Sequence, residues 1–184
     1  MVIVTEGNDD RTFLISFLQD LRKKNEIKIE DNFDFNKIIE TKNSKSKLLN
    51  SSNYEKLKQQ VQIKGINKIL FIFDSDFEKD DTNCNGLEKS KQCFEKLIEE
   101  LNLEIEIDFY IFDRNLDYFL LTTIDDAKCY ENFYKLNECL GSEEIKPNKK
   151  PIANMYRELY PHPKFDYKHE NFDELKQKLK NLFN

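Results

Sequence analysis

Lys68-Ile69-Leu70-Phe71-Ile72-Phe73-Asp74-Ser75-Asp76-Phe77-Glu78 is the stretch around which the chain is organised. Apolar residues run unbroken from Ile69 to Phe73, and an acid then stands at every second position. A run of this length, rich in Ile and Phe, fits a strand covered on both faces, as in the middle of a parallel sheet. It is too short, and ends too abruptly in polar residues, to read as buried helix. If the extended conformation continues, the period of two places Asp74, Asp76 and Glu78 on one side. Strand residues two apart lie about 6.5–7 Å from each other, so two carboxylate tips can reach a shared cation. The carboxyl end of such a strand is also where open α/β sheets receive their ligands.

The start of the chain repeats the arrangement. Val2-Ile3-Val4 is a short β-branched run, and Thr5-Glu6-Gly7-Asn8-Asp9-Asp10 follows it. Gly7 permits a tight turn from strand to helix, and Asn8 or Asp9 is a suitable N-cap. Asp9 and Asp10 also suit the first helical turn, where they complement the helix dipole. If the strands are neighbours, Glu6 comes towards Asp74 and Asp76.

Outward from these strands, residues 10–24 read as a helix with Phe13, Leu14, Phe17, Leu18 and Leu21 on one face, stopped by Asn25. A second strand is expected within residues 26–41, where Ile and Phe alternate only loosely with polar residues. Residues 42–53 read as a Lys/Ser/Asn loop, and a helix over 54–63 is capped by Ser52 or Asn53 and ended by Gly65. A further helix is expected over 87–101, with Phe94, Leu97, Ile98 and Leu101 inward. Residues 104–112 alternate cleanly, Ile105, Ile107, Phe109 and Ile111 against Glu104, Glu106 and Asp108, which indicates an edge or half-exposed strand. Helices are expected just after Asp113, over 127–140, from Pro151, and at the end through Phe172, Leu175, Leu179 and Leu182. Strands alternating with helices predict an α/β fold of three layers, α/β/α, around a mainly parallel four-stranded sheet. Residues 1–122 form this domain, and residues 123–184 a helical C-terminal extension packed on it.

Composition narrows the function classes. The chain has 184 residues, 39% hydrophobic and 35% charged, enough for one domain with a real core. No segment approaches the ~20 apolar residues needed to span a bilayer, and the opening run lacks the basic flank of a signal peptide. The net charge of −6 argues against a protein that coats nucleic acid, although a local basic strip remains compatible with it. Cys84, Cys93, Cys129 and Cys139 contain no C-x-x-C pair, and reduced thiols in a cytoplasmic protein are expected. Glycine-rich phosphate loops, H-E-x-x-H and G-x-S-x-G are absent. Carboxylates without partnering His or Cys favour Mg²⁺ or Mn²⁺ over zinc. His162 and His169 have no ligand spacing and read as structural or exposed.

Glu6-Gly7 after a first strand, with Asp74-x-Asp76 after a later one, resembles the TOPRIM domain of primases, topoisomerases, OLD-type nucleases and a small RNA-maturation nuclease. The opening Val4-Thr5-Glu6-Gly7-Asn8-Asp9-Asp10 is similar to that of small stand-alone prokaryotic TOPRIM-like proteins. The resemblance covers roughly the first two-thirds of the chain and implies the same parallel sheet. It implies that Asp74 and Asp76 bind the metal, with Glu6 a further ligand or the general acid/base. Glu78 joins the metal set by its place in the period, and Gly7, Asp10 and Asp117 support the site. Asp117 lies in an Asn-Leu-acid run that related small proteins share. The basic turn carrying Lys149 and Lys150 is either an ordinary solvated turn or a hold on substrate phosphate. The chain departs from the pattern after Asp76, where Phe77-Glu78-Lys79-Asp80-Asp81 precedes a distant Gly86. Nothing resembles a primase zinc module or a topoisomerase tyrosine domain. The expected function is Mg²⁺-dependent phosphodiester chemistry on DNA or RNA, in the manner of a nuclease. The alternative is a non-catalytic TOPRIM-like metal-binding or regulatory module. A basic face beside the carboxylates favours the first, and an acidic rim the second.

Overall fold

A computed structural model describes residues 1–76, 84–123 and 167–183. Four strands, β1 (Val2–Thr5), β2 (Ile39–Thr41), β3 (Lys68–Asp74) and β4 (Glu106–Phe112), pair in the order β2-β1-β3-β4, every pair parallel. Thr5 stands opposite Ile72, and Asp74 opposite Phe112. The unbroken apolar run is thus an interior strand, and the alternating run is the edge strand that its pattern predicts.

Side-chain parity sends the strands into two cores. Ile3, Leu70, Ile72, Tyr110 and Phe112 face α1 (Asn8–Lys23), α5 (Leu116–Leu121) and α6 (Asp173–Phe183). Val2, Val4, Ile69, Phe71 and Phe73 face the other way, against Tyr54, Leu57, Phe94 and Leu97. Those partners come from α3 (Glu55–Lys64), α4 (Leu87–Leu101) and the 3-10 turn Ser51–Tyr54 before α3. The result is the expected α/β/α sandwich. Phe13, Phe17, Tyr167 and Phe172 interlock in the first core, with the Phe17 and Tyr167 rings stacked at 4.0 Å. Phe172, Leu175 and Leu179 are fully buried, so the final helix shares the core of α1.

The helix ends follow local chemistry. Gly65 closes α3 at φ 63°, a left-handed conformation in which a side chain is strained. Asn25 leaves α1 at φ 57°, as its stop position predicts. Gly7 is the N-cap of α1, rather than Asn8 or Asp9, and its N–H donates to the Asp10 carboxylate at 2.7 Å. A carboxylate three residues into the helix satisfies an otherwise orphaned amide and meets the positive helix end.

Three expectations change. Only Ile39–Thr41 of the weak region is strand, and the preceding phenylalanines lead through the 3-10 turn Phe35–Lys37. Residues 42–53 are not a plain loop: the Ser44 hydroxyl accepts from Lys47 N–H at 3.3 Å and caps α2 (Lys45–Leu48). Cys84 and Cys93 are not free thiols but a disulfide, with Cα atoms 5.9 Å apart. Gly86, at φ 85°, turns the chain into α4 and carries Cys84 back over Cys93. Cys129, Cys139 and His162, with the helices expected over 127–140 and from Pro151, lie outside the described residues. Among the described residues, no helix is long and apolar enough to cross a membrane.

Candidate functional site

The carboxyl ends of β1 and β3 lie side by side, and each releases its acid where the strand stops. Asp74 is the last residue of β3, and one Asp74 oxygen accepts from Leu116 N–H, at the start of α5, at 3.1 Å. β3 does not run on in extended form. Ser75 N–H donates to Phe112 O at 2.9 Å and Asp76 N–H to Arg114 O at 2.7 Å, but Asp76 takes φ 58°. The strict alternation expected through Asp74, Asp76 and Glu78 therefore breaks at Asp76. A left-handed non-glycine residue costs roughly 1–2 kcal/mol, less for Asp, and such strain concentrates at functional sites.

Four acids crowd this edge. Burial, the Asp76 charge and incomplete amide pairing raise the Glu6 carboxyl from 4.5 to about 7, although the Asp74 and Lys45 amides and the Lys45 charge pull against this. Burial also raises Asp10, from 3.8 to about 7, with Glu6 and Asp117 adding to it and the Gly7 amide opposing it. Asp74 is pushed well above the ordinary range by burial, then by Asp10, Glu6 and Asp76. Glu6 Oε2 is buried and has no hydrogen-bond partner. A buried carboxylate oxygen left unpaired costs free energy unless a proton or cation meets it.

One cation stands inside the cluster, and the sequence had offered no reason to single it out. Lys45, only 8% exposed, sends its ammonium from the first turn of α2 to Ser75 O at 2.6 Å and to Asp76 Oδ2 at 3.3 Å. Ser75 is the hub. Its carbonyl also accepts from Gly86 N–H at 2.8 Å and from the Ser90 hydroxyl at 3.3 Å, and its hydroxyl accepts from Arg114 N–H at 2.7 Å. The Ser90 hydroxyl lies 2.8 Å from Cys84 O, which ties the disulfide to the same hub. The available signal was Ser44, a good N-cap placed just ahead of Lys45 and Leu48.

Of the residues expected at the site, Glu6, Asp10, Asp74 and Asp76 come together, with Asp117 in electrostatic reach of Asp10. Gly7 contributes through its amide rather than through close approach of a ligand. Glu78, Lys149 and Lys150 lie outside the described residues. The donors are all oxygen, which fits Mg²⁺ or Mn²⁺ in kind. Among the described residues, no three His, Cys, Asp or Glu side chains converge as a ready-made metal-binding group. The acids are gathered by charge without closing on one point.

Compared with known proteins, the chain matches no family model, no curated protein and no solved structure.

Proposed function

We propose that the chain binds Mg²⁺ or Mn²⁺ through Glu6, Asp74 and Asp76 and performs phosphodiester chemistry on nucleic acid, as a nuclease-like protein of the TOPRIM type. The observation that carries this reading is the buried, unpartnered Glu6 Oε2 beside Asp74 and Asp76 at the carboxyl end of a parallel sheet. Acids held this way without a cation repel one another, and a divalent ion is the ligand that relieves them. A bound Mg²⁺ supplies charge neutralisation of phosphoryl oxygens and of the leaving group. Glu6, poised at about 7, is suited to take a proton from an attacking oxygen or return it to a departing one near neutral pH. Asp10 keeps its cap on Gly7 and holds the strand-to-helix turn that presents Glu6.

A second reading, a non-catalytic metal-binding or regulatory module, draws on the absence of a convergent donor group among the described residues and on the net charge of −6. One experiment separates the two. Purified protein with Mn²⁺ is incubated with single-stranded and structured DNA and RNA, beside Glu6→Gln. Cleavage that Glu6→Gln lowers by 10²-fold or more, the usual scale of general acid–base catalysis, supports the enzyme. Mn²⁺ binding with no substrate cut, in parent or variant, leaves the module.

A further inference from the structure

We propose that Lys45 is the built-in cation of this site: its ammonium takes the place of a second metal ion, so that the chain holds one divalent cation. The inference rests on the metal reading above and deepens it. Its ground is the placement of Lys45 Nζ, at 3.3 Å from Asp76 Oδ2 and 2.6 Å from Ser75 O, on a side chain nine-tenths buried. In two-metal phosphodiester sites the ions lie about 3.5–4 Å apart and share a bridging carboxylate. Here an ammonium already sits on the carboxylate that would bridge, so a second ion meets both an occupied oxygen and a like charge.

Charge balance points the same way. Lys45 and one divalent cation together neutralise Glu6, Asp74 and Asp76, while Asp10 is committed to the Gly7 amide. A second divalent cation leaves the cluster with excess positive charge. Lys45 is also fixed at both ends: α2 starts at its own residue under the Ser44 cap, and its ammonium is bound to the backbone that leaves β3. Such anchoring suits a fixed charge, unlike a surface lysine on a free stem. Lys45 is a positioning residue in this scheme, setting Asp76 and the number of ions.

Mn²⁺ titration by calorimetry, with free Mn²⁺ counted by electron paramagnetic resonance, tests the proposal on the full chain. The parent should take one equivalent. Lys45→Met should take a second equivalent or bind the first at least several-fold more tightly, whereas Lys45→Arg should keep the parent stoichiometry. A merely structural lysine would leave ion count and affinity unchanged in any variant that folds. Two equivalents in the parent, or a folded Lys45→Met with parental count and affinity, overturn the proposal while leaving the metal reading standing. If Lys45→Met does not fold, the stoichiometry of the parent decides alone. No Mn²⁺ bound by the parent overturns both readings together.

Discussion

At the amino end of the strands, Lys68 Nζ stands 3.6 Å from Glu106 and Lys178 Nζ 2.7 Å from Asp108, while Lys180 pairs with Glu26. At the carboxyl end, Glu6, Asp10, Asp74 and Asp76 crowd around the ammonium of Lys45. Both ends are acidic in sequence, and both lie on the same four strands. What differs is the source of the counter-charge. The amino end is covered by α6, which brings lysines to each acid and whose backbone accepts from Lys68 at Asn181 O at 2.9 Å. The carboxyl end is built of turns that deliver acids together. An acid kept for structure is matched, whereas these acids repel one another and persist although the fold would be more stable without them.

The largest effect belongs to the matched end, because its cover is hydrophobic before it is ionic. Leu179 is fully buried in the core shared with α1, and Leu179→Ala should cost about 2–5 kcal/mol, the range for truncating a buried leucine. Denaturant melts should show the loss in the midpoint with the slope unchanged. A cost under about 1 kcal/mol would mean that α6 is not part of the cooperative core. The comparison between ends would then lose its first term.

The crowded end should respond with the opposite sign. Asp74→Asn keeps an acceptor for Leu116 N–H while removing one charge from the cluster. In chelator the variant should melt a few degrees above the parent; about 1 kcal/mol corresponds to roughly 2–4 °C in a domain of this size. An unchanged or lower midpoint would mean that the acids do not strain one another. A pH dependence follows from the same crowding. Glu6 and Asp10 titrate higher in the folded chain, at about 7, than their ordinary values of 4.5 and 3.8, so the folded state binds protons more tightly. Their contribution is therefore complete below those ordinary values and is lost as pH rises through about 7. Metal-free parent should lose more stability than Glu6→Gln between about pH 5 and about pH 8. A parallel course for the two proteins would remove Glu6 from the strained set.

Legibility in the sequence divides along the same line. The interior strands were readable because hydrophobic runs such as Ile69–Phe73 report burial on both faces, and β4 was readable as an edge because its alternation reports burial on one. Glu6, Asp74 and Asp76 were readable as a group because strand ends in a parallel sheet share one edge. Lys45 was not: five lysines fall between Lys37 and Lys47, and nothing local distinguishes the one whose stem is buried. Its burial depends on a one-turn helix meeting the chain at Ser75, a contact 30 residues away. The Cys84–Cys93 disulfide depends likewise on the turn at Gly86, which spacing does not reveal. The left-handed Asp76 broke a periodicity that the sequence carried without interruption.

The smallest effect sharpens the comparison most, because it takes the same substitution to the other end. Asp108 is half-exposed and pairs with Lys178, and one of its oxygens also accepts its neighbour's Phe109 N–H at 2.8 Å. Asp108→Asn keeps that acceptor, and Lys178 stays 5.7 Å from the centre of the Phe109 ring, so only the ionic part of the pair is lost. Exposed pairs of this kind contribute about 0–1 kcal/mol, and salt screens them. Asp108→Asn should therefore lower the midpoint slightly at low ionic strength and match the parent in high salt. The buried cluster is screened far less, so the gain from Asp74→Asn should survive the same salt. Melts of both variants at two salt concentrations, in chelator, give four differences with a definite pattern of sign. If Asp108→Asn stabilises as Asp74→Asn does, net charge alone governs both ends, and the carboxyl-end acids lose their claim to be a site.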